Sequence, residues 1–253
     1  MNFRYSLLVF LIVLTGVGPD ASWSEEADAI ERILVFGASG RIGKHIVDEG
    51  LKRGYSVTGV SRSPERLSDK ADRIKVEIGD ILDRERTKEL IAAHDAVIVS
   101  IGGAPRDKNP ETYIAAMAAE SLIEVLQTFG DNGPRLIFVG NLFTLIFEDG
   151  KTLLELGRVD ESHEFYAMFY GHQIAIDKFR ASEGVNWTIA TPPNGLRLEG
   201  FTGKVRFGGD ELLRDPDGQP AQISHEDFAY AVYEELESGR YIRQRFNAAR
   251  LLE

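Results

Sequence analysis

The stretch Ile33-Leu-Val-Phe-Gly-Ala-Ser-Gly-Arg-Ile-Gly43 decides the fold of this chain. Its first four residues, Ile33 to Phe36, form the continuous apolar run that a strand buried on both faces requires. Glycines then follow with the spacing Gly-x-x-Gly-x-x-Gly, at Gly37, Gly40 and Gly43, and a helical pattern begins at once. Such glycines allow a tight turn, close approach of the backbone to a pyrophosphate and close packing of helix on strand. Because a helix N-terminus also attracts anions, the stretch predicts a dinucleotide site; the alternative is an ordinary strand-to-helix turn.

Short apolar strands alternate with helical patterns along the rest of the chain. A last helix begins after Ile223, with Ser224 or a neighbouring residue as its N-cap. This alternation predicts an α/β fold in one domain: a doubly wound parallel sheet in the order 3-2-1-4-5-6, which is the NAD(P)-binding Rossmann fold. Its ligand crevice lies at the carboxyl ends of the strands. The predicted strands are Ile33–Phe36, Ser56–Val60, Ile74–Ile78, Ala96–Ile101, Leu136–Val139 and Trp187–Ala190.

Composition limits the classes of partner. The chain has 253 residues, of which 43% are hydrophobic, enough for one substantial core. A formal net charge of −11 argues against a nucleic-acid partner, because phosphate binding needs a basic face. The chain has no Cys, and its five His residues show no metal-ligand spacing. We therefore expect no disulfide, no metal site and no nucleic acid, but a dinucleotide and a small-molecule substrate.

The end of the second strand indicates which dinucleotide is bound. The ribose of a bound adenosine reaches this point, where an acidic residue would accept a hydrogen bond from a free 2′-hydroxyl. Arg62 is present instead of an acid, so we expect a 2′-phosphate and therefore NADP rather than NAD. A solvated loop Arg is the alternative. The glycine loop contributes Ser39, Arg41 and Ile42 to the same site.

The fourth strand ends in a second glycine-containing segment. Glycines at the carboxyl end of this strand let the chain pass close to the nicotinamide ribose. We therefore assign Ser100, Gly102 and Gly103 to the wall of the cofactor site.

Several motifs together resemble a known family. The glycine spacing is similar to that of the short-chain dehydrogenase/reductase superfamily. From about Glu31 to the C-terminus the chain resembles the atypical NAD(P)H-binding branch, which includes biliverdin/flavin reductase B-like and NmrA-like proteins. In the superfamily an Asp after the third strand accepts from the adenine amino group and the next backbone amide meets the ring. The resemblance implies these roles for Asp80 and Ile81, against the alternative of a turn or N-cap Asp. The motifs are the segment Ser61–Leu67, Gly79-Asp80, Thr-Gly-Lys-Val at Thr202–Val205 and Ile-Ser-x-Glu-Asp-x-Ala from Ile223.

The proton relay that is usual in the superfamily is missing. That relay is a Tyr four residues before a Lys, which lowers the pKa of the phenol and binds the nicotinamide ribose. Alignment of the helix before the sixth strand puts Phe169 and Gln173 at the two positions, and neither can act in this way. Tyr170 lies one residue off, about 100° around the helix, and Asn141 stands near the place of the usual Ser. Tyr170 or His172 is left to supply a proton.

Two functions from different classes fit these features. In the first, an NADPH-dependent reductase of the flavin-reductase type passes hydride to a small planar or carbonyl acceptor, and proximity replaces a strong protein acid. In the second, the chain binds dinucleotide without turnover, as an NmrA-like redox sensor or interaction module, which the missing Tyr-Lys pair favours. We expect the reductase, because the predicted cofactor site is complete and the sequence declares no partner surface.

The N-terminal sequence predicts a location that conflicts with a cytosolic cofactor. In residues 1–24, Arg4 precedes an apolar run from Leu7 to Leu14, shorter than the roughly 20 residues that span a bilayer. This pattern predicts a signal peptide or signal-anchor on a bacterial protein that is exported, or membrane-anchored through residues 1–24 alone, with the folded domain in 25–253. Reduced nicotinamide cofactors are cytosolic, so the alternative is a misassigned start codon and a cytoplasmic protein.

Overall fold

The computed structural model describes residues 30–130, 133–193 and 196–252. The predicted targeting segment, residues 1–24, lies outside them, and its role stays a prediction. Within the described ranges, no helix combines the length and the apolar character that crossing a membrane requires.

Strands and helices alternate along most of the described chain. The strands are β1 (Arg32–Phe36), β2 (Ser56–Ser61), β3 (Lys75–Ile78), β4 (Ala96–Val99), β5 (Arg135–Val139), β6 (Ile146–Glu148), β7 (Lys151–Thr152), β8 (Trp187–Thr191), β9 (Val205–Gly208) and β10 (Gln244–Arg250). The α-helices are α1 (Gly43–Lys52), α2 (Arg84–Ala92), α3 (Ile114–Gln127), α4 (Tyr166–Ala181) and α5 (His225–Ser238). One eight-stranded sheet has the order β3-β2-β1-β4-β5-β8-β10-β9, and β6 pairs separately with β7.

This sheet confirms the predicted α/β class and the doubly wound parallel topology. The six predicted strands are β3, β2, β1, β4, β5 and β8, in the predicted order and all parallel. Two further strands were not predicted: β10 pairs in parallel with β8, and β9 pairs antiparallel with β10. The pattern of β10 is hidden because Arg245 and Asn247 interrupt its apolar residues. Both are buried because they are hydrogen-bonded, Arg245 donating to the Thr144 carbonyl oxygen and Asn247 to that of Gly209, each at 2.7 Å.

Strand β1 is covered on both faces, as its continuous apolar sequence requires. Leu34 and Phe36 pack in the core cluster that includes residues of α3 and α4, and Ile33 and Val35 pack in the cluster that includes residues of α1 and α5. All four side chains are at most 2% exposed. Complete burial of each contributes roughly 1.5–3 kcal/mol to stability, so β1 is an interior strand that joins the cores on the two faces of the sheet.

The position of β1 between β2 and β4 creates the crevice. Phe36, the last residue of β1, lies opposite Val60 of β2 and Val99 of β4. The segments that follow these three strands therefore leave the sheet side by side at one edge. In doubly wound sheets, this point of reversal in strand order is where ligands bind.

Candidate cofactor and active site

The glycine loop between β1 and α1 has no room for side chains at two positions. Gly37 has a φ of +78°, and a Cβ there would lie 2.1 Å from the Ser100 carbonyl oxygen. A Cβ on Gly43 would lie 2.0 Å from the Gly37 carbonyl oxygen, which also accepts a hydrogen bond from the Gly40 N–H at 2.9 Å. Close packing of the turn on β4 and on the start of α1 therefore requires glycine.

The N-terminus of α1 opens onto this loop without competition from the protein. No described side chain caps the helix at Ile42, and its first turn holds no acidic residue. The positive end of the helix is thus available to an anion such as a pyrophosphate.

One cleft of about 640 Å³ runs along the carboxyl edge of the sheet. This volume is within the range of small-molecule sites, roughly 300–1,000 Å³. The cleft brings together most of the residues that the sequence assigned to the cofactor, whereas Gly43 packs beneath the loop. The predicted residues that line it are Gly37, Ser39, Gly40, Arg41, Ile42, Arg62, Asp80, Ile81, Ser100, Gly102 and Gly103, together with Asn141 and His172.

Two arginines line the end of the cleft beyond β2. Arg62 was predicted here, and Arg66 joins it because a short 3₁₀ turn, Pro64–Leu67, folds the chain back. Both side chains are exposed, and neither forms a salt bridge with a described residue. Arg66 was missed in the sequence, where the turn-forming Pro64 was the available signal. Unpaired cations at this place suit a phosphate.

Asp80 occupies a turn at the same end. One oxygen of its carboxylate accepts from the Leu82 N–H at 3.0 Å, as a turn Asp does. The residue still lines the cleft beside Ile81, so the turn fixes the carboxylate at the edge of the site.

The opposite end of the cleft is largely apolar. Asn141 accepts from the Phe143 N–H at 3.0 Å through its side-chain oxygen, which fixes its orientation. Met168 and His172, one turn apart on α4, face the cleft together with Leu142 and Tyr113.

The surroundings of His172 disfavour its predicted role as a proton source. The side chain is only 6% exposed, and burial lowers the pKa of His172 to about 4. At neutral pH the imidazole therefore carries no excess proton. Tyr113 is no substitute, since burial raises its pKa to about 12 and its hydroxyl donates to the Gly103 carbonyl oxygen at 3.1 Å.

The structure also places Tyr170 outside the cleft. Its hydroxyl donates weakly to the Leu154 carbonyl oxygen at 3.5 Å and lines a separate cavity of about 510 Å³. Phe169 is buried in an apolar cluster that contains Leu154, and Gln173 donates to Asp177. The phase of α4 turns these positions away from the cleft and presents Met168 and His172 instead.

Two further features of the cleft have no sequence prediction. Tyr113 holds Gly103, whose φ is +135°, through the hydrogen bond already described. His225 lines the cleft as the first residue of α5, and its ring stacks on His45 with 5.2 Å between centroids. In the sequence, Ser224 indicated that a helix begins here, but it did not indicate that the start of this helix faces the cleft.

No cluster of His, Asp or Glu suited to a metal ion occurs in the described part of the chain.

Comparison with known sequences places the chain in a family. The sequence profile of a family described as NAD(P)H-binding matches residues 37–238, from the glycine loop to the end of α5. The chain belongs to this NAD(P)H-binding family. The match confirms the resemblance to the atypical NAD(P)H-binding branch and implies a nicotinamide dinucleotide as cofactor.

Individual relatives of this NAD(P)H-binding family member are similar over most of their length. The YwnB protein of Bacillus subtilis is 27% identical over 220 residues, which cover 85% of this chain and 96% of YwnB. A crystal structure described as a candidate NADH-flavin reductase from Streptococcus pneumoniae has 26% identity and a TM-score of 0.72, covering 87% of this chain and 100% of that one. A candidate exported protein from Burkholderia pseudomallei has 27% identity and a TM-score of 0.69, with the same coverage.

The site residues fit the cofactor that the NAD(P)H-binding family implies. The glycine loop is closed by its own backbone contacts, the N-terminus of α1 is uncapped, and Arg62 and Arg66 are without acidic partners among the described residues. Each of these features leaves a polar or charged group ready for a phosphate-containing ligand.

Proposed function

We propose that the protein is an NADPH-dependent oxidoreductase that passes hydride to a small planar acceptor without the Tyr-Lys relay. The observation that carries the proposal is the single cleft described above. One end has an uncapped helix N-terminus and two arginines without an acidic partner among the described residues, and the other end is largely apolar. A dinucleotide with a 2′-phosphate matches this polarity along its length.

Each part of the chain has a role toward that cofactor. The glycine loop and α1 hold the pyrophosphate, and Arg62 and Arg66 hold the 2′-phosphate. Asp80 and the Ile81 amide meet the adenine. Ser100 and the two glycines after it form the wall beside the nicotinamide ribose. A bound reduced nicotinamide supplies the hydride, two electrons with one hydrogen.

The protein contributes proximity and orientation more than acid catalysis. At the nicotinamide end, His172 and Tyr113 have pKa values of about 4 and about 12, and neither releases a proton readily at neutral pH. Solvent that enters the open cleft supplies the one proton that, with the hydride, completes the reduction. An isolated carbonyl would become a strongly basic alkoxide, which needs an acid at once. An electron-poor conjugated ring such as a flavin or a quinone spreads the charge, and such rings are the acceptors that we propose.

The Streptococcus pneumoniae relative supports this acceptor class, because it is described as a candidate NADH-flavin reductase. The test is an anaerobic titration of the purified protein with NADPH, followed by addition of a flavin and a quinone. Binding with NADPH oxidation supports the proposal.

A non-catalytic dinucleotide-binding sensor is the second candidate. It is favoured by one specific observation, namely that the described residues place no acid with a useful pKa at the nicotinamide end. NADPH binding without oxidation by either acceptor would favour the sensor.

Export of the protein stays part of the proposal. It rests on the signal-like residues 1–24, and the description of the Burkholderia pseudomallei relative as a candidate exported protein supports it. Cell fractionation with N-terminal sequencing of the mature protein tests it. An intact N-terminus in the cytoplasmic fraction would favour the cytoplasmic alternative.

A further inference from the structure

His172 is a buried polar side chain to which no described residue is hydrogen-bonded. It lies on α4 at the apolar end of the cleft, between the rings of Tyr113 and Phe138, whose centroids are 5.7 and 6.5 Å from its own. Its Nδ1 is out of contact with solvent and has no hydrogen-bond partner among the described residues. Buried polar groups are almost always hydrogen-bonded, so this exception requires an explanation.

A comparison with His94 shows that His172 is not an ordinary core histidine held by hydrogen bonds. His94 is buried to a similar degree, but its Nδ1 lies 2.6 Å from the Leu90 carbonyl oxygen and its Nε2 lies 2.8 Å from the Thr58 hydroxyl. His94 is thus a satisfied core histidine. His172 has neither kind of contact and lines the cleft instead.

The ring of His172 has one nitrogen left to reach a ligand. Since Nδ1 is enclosed while the residue lines the cleft, Nε2 is the ring nitrogen that remains to meet a ligand there. An orphaned N–H is rarer in proteins than an orphaned acceptor, which favours the proton on Nε2 and the bare lone pair on enclosed Nδ1. The side chain then presents a neutral N–H donor in an apolar wall.

We propose that the Nε2–H of His172 donates a hydrogen bond to a carbonyl oxygen of the acceptor and thereby selects planar rings that carry such an oxygen. This inference rests on the proposed reductase function and narrows its substrate class. Nε2 keeps its proton throughout, while solvent supplies the proton that completes the reduction. Neighbouring Met168 and Leu142 contribute apolar surface to the same part of the cleft, where a single hydrogen bond discriminates strongly.

The test uses binding, so that it does not depend on turnover. Full-length protein saturated with NADP⁺ is titrated with riboflavin, a planar ring with carbonyl oxygens, and with N-methylacridinium, a planar ring of similar size without any hydrogen-bond acceptor. His172→Phe keeps an aromatic ring among apolar neighbours but removes the donor. We expect riboflavin to bind roughly tenfold more weakly to this variant, with N-methylacridinium and NADP⁺ changed less than twofold.

Two control variants separate recognition from packing. His172→Gln keeps an amide donor near the position of Nε2 and restores most of the riboflavin affinity, whereas Met168→Leu, one turn earlier on α4, leaves the ratio of the two ligands unchanged. Equal changes for riboflavin and N-methylacridinium, or no binding of riboflavin to wild type that binds NADP⁺, overturn the inference. Absence of NADP⁺ binding overturns the proposed function instead.

Nitrogen NMR spectra test the protonation state of His172 directly. We expect the neutral imidazole with its proton on Nε2, and resonances that move when riboflavin binds. A charged imidazole at neutral pH would contradict the proposed donor.

Discussion

Substitution of Arg62 and Arg66 tests the proposed preference for NADPH over NADH. Both are exposed at the ribose end of the cleft and have no salt bridge within the described residues, so no internal carboxylate must be displaced when a phosphate binds. A unit charge pair at about 4 Å in a water-like medium is worth ~1 kcal/mol, and a phosphate monoester carries about −1.5 to −2 charges. We therefore expect each arginine to contribute about 1.5–2 kcal/mol, which is roughly 10- to 30-fold in affinity for NADPH.

Calorimetric titration of Arg62→Ala and Arg66→Ala with NADPH and NADH measures this contribution directly. We expect each variant to lose roughly tenfold or more for NADPH and less than twofold for NADH, which lacks the 2′-phosphate. Arg73→Ala is the matched control, because Arg73 is also exposed and without a salt bridge to a described residue but does not line the cleft. Equal losses for NADPH and NADH, or an equal effect of Arg73→Ala, would refute the assignment of the 2′-phosphate site.

Three further predictions concern stability and the glycine loop. Gly43→Ala places a Cβ 2.0 Å from the Gly37 carbonyl oxygen, so we expect loss of dinucleotide binding and about 3 kcal/mol of stability in urea unfolding. Glu235→Leu leaves the buried guanidinium of Arg135 without its partner at 2.8 Å and costs about 3–5 kcal/mol. The Arg32 guanidinium lowers the pKa of Asp95 to about 2. The carboxylate therefore stabilises the fold above about pH 4, and this contribution is lost as the pH falls toward 2. We expect Asp95→Asn to remove ~1 kcal/mol of this pH-dependent stability, measured by unfolding at each pH.

Each of these predictions has its own control. Gly209→Ala adds a Cβ with no neighbour within 4 Å and without a positive φ, and it should behave as wild type. Glu235→Leu combined with Arg135→Met should recover most of the lost stability; a double variant as unstable as the single one contradicts the ion-pair explanation. For Asp95→Asn, an unfolding curve that falls as steeply between pH 4 and pH 2 as that of wild type would show that another group is responsible.

The fold was predictable because its first strand and the loop after it have a distinctive sequence pattern. The apolar run of β1 and the glycines behind it admit few structures, and the alternation of strands and helices then fixes the order of six strands. Strand β10 was not predictable from periodicity. Its Arg245 and Asn247 are buried only because partners distant in the chain, at Thr144 and Gly209, satisfy them.

The candidate site was predictable at the cofactor end and not at the acceptor end. Residues that directly follow parallel strands must meet at one edge, which brings Arg62, Asp80 and Ser100 to the cleft. The contribution of α4 depends instead on the rotation of a helix, and a rotation of about 100° exchanges one residue for the next. The sequence therefore left both Tyr170 and His172 as candidates, whereas in the structure only His172 of the two lines the cleft, where its ring packs against Tyr113 and Phe138.

The measurement that tests the central proposal most directly is an anaerobic titration of the purified protein with NADPH and NADH, followed by riboflavin. We predict that NADPH binds more tightly than NADH and that it is oxidised when riboflavin is added, at a rate that saturates with riboflavin. Binding without oxidation by riboflavin or a quinone would contradict the reductase, and absence of dinucleotide binding would contradict the cofactor site itself.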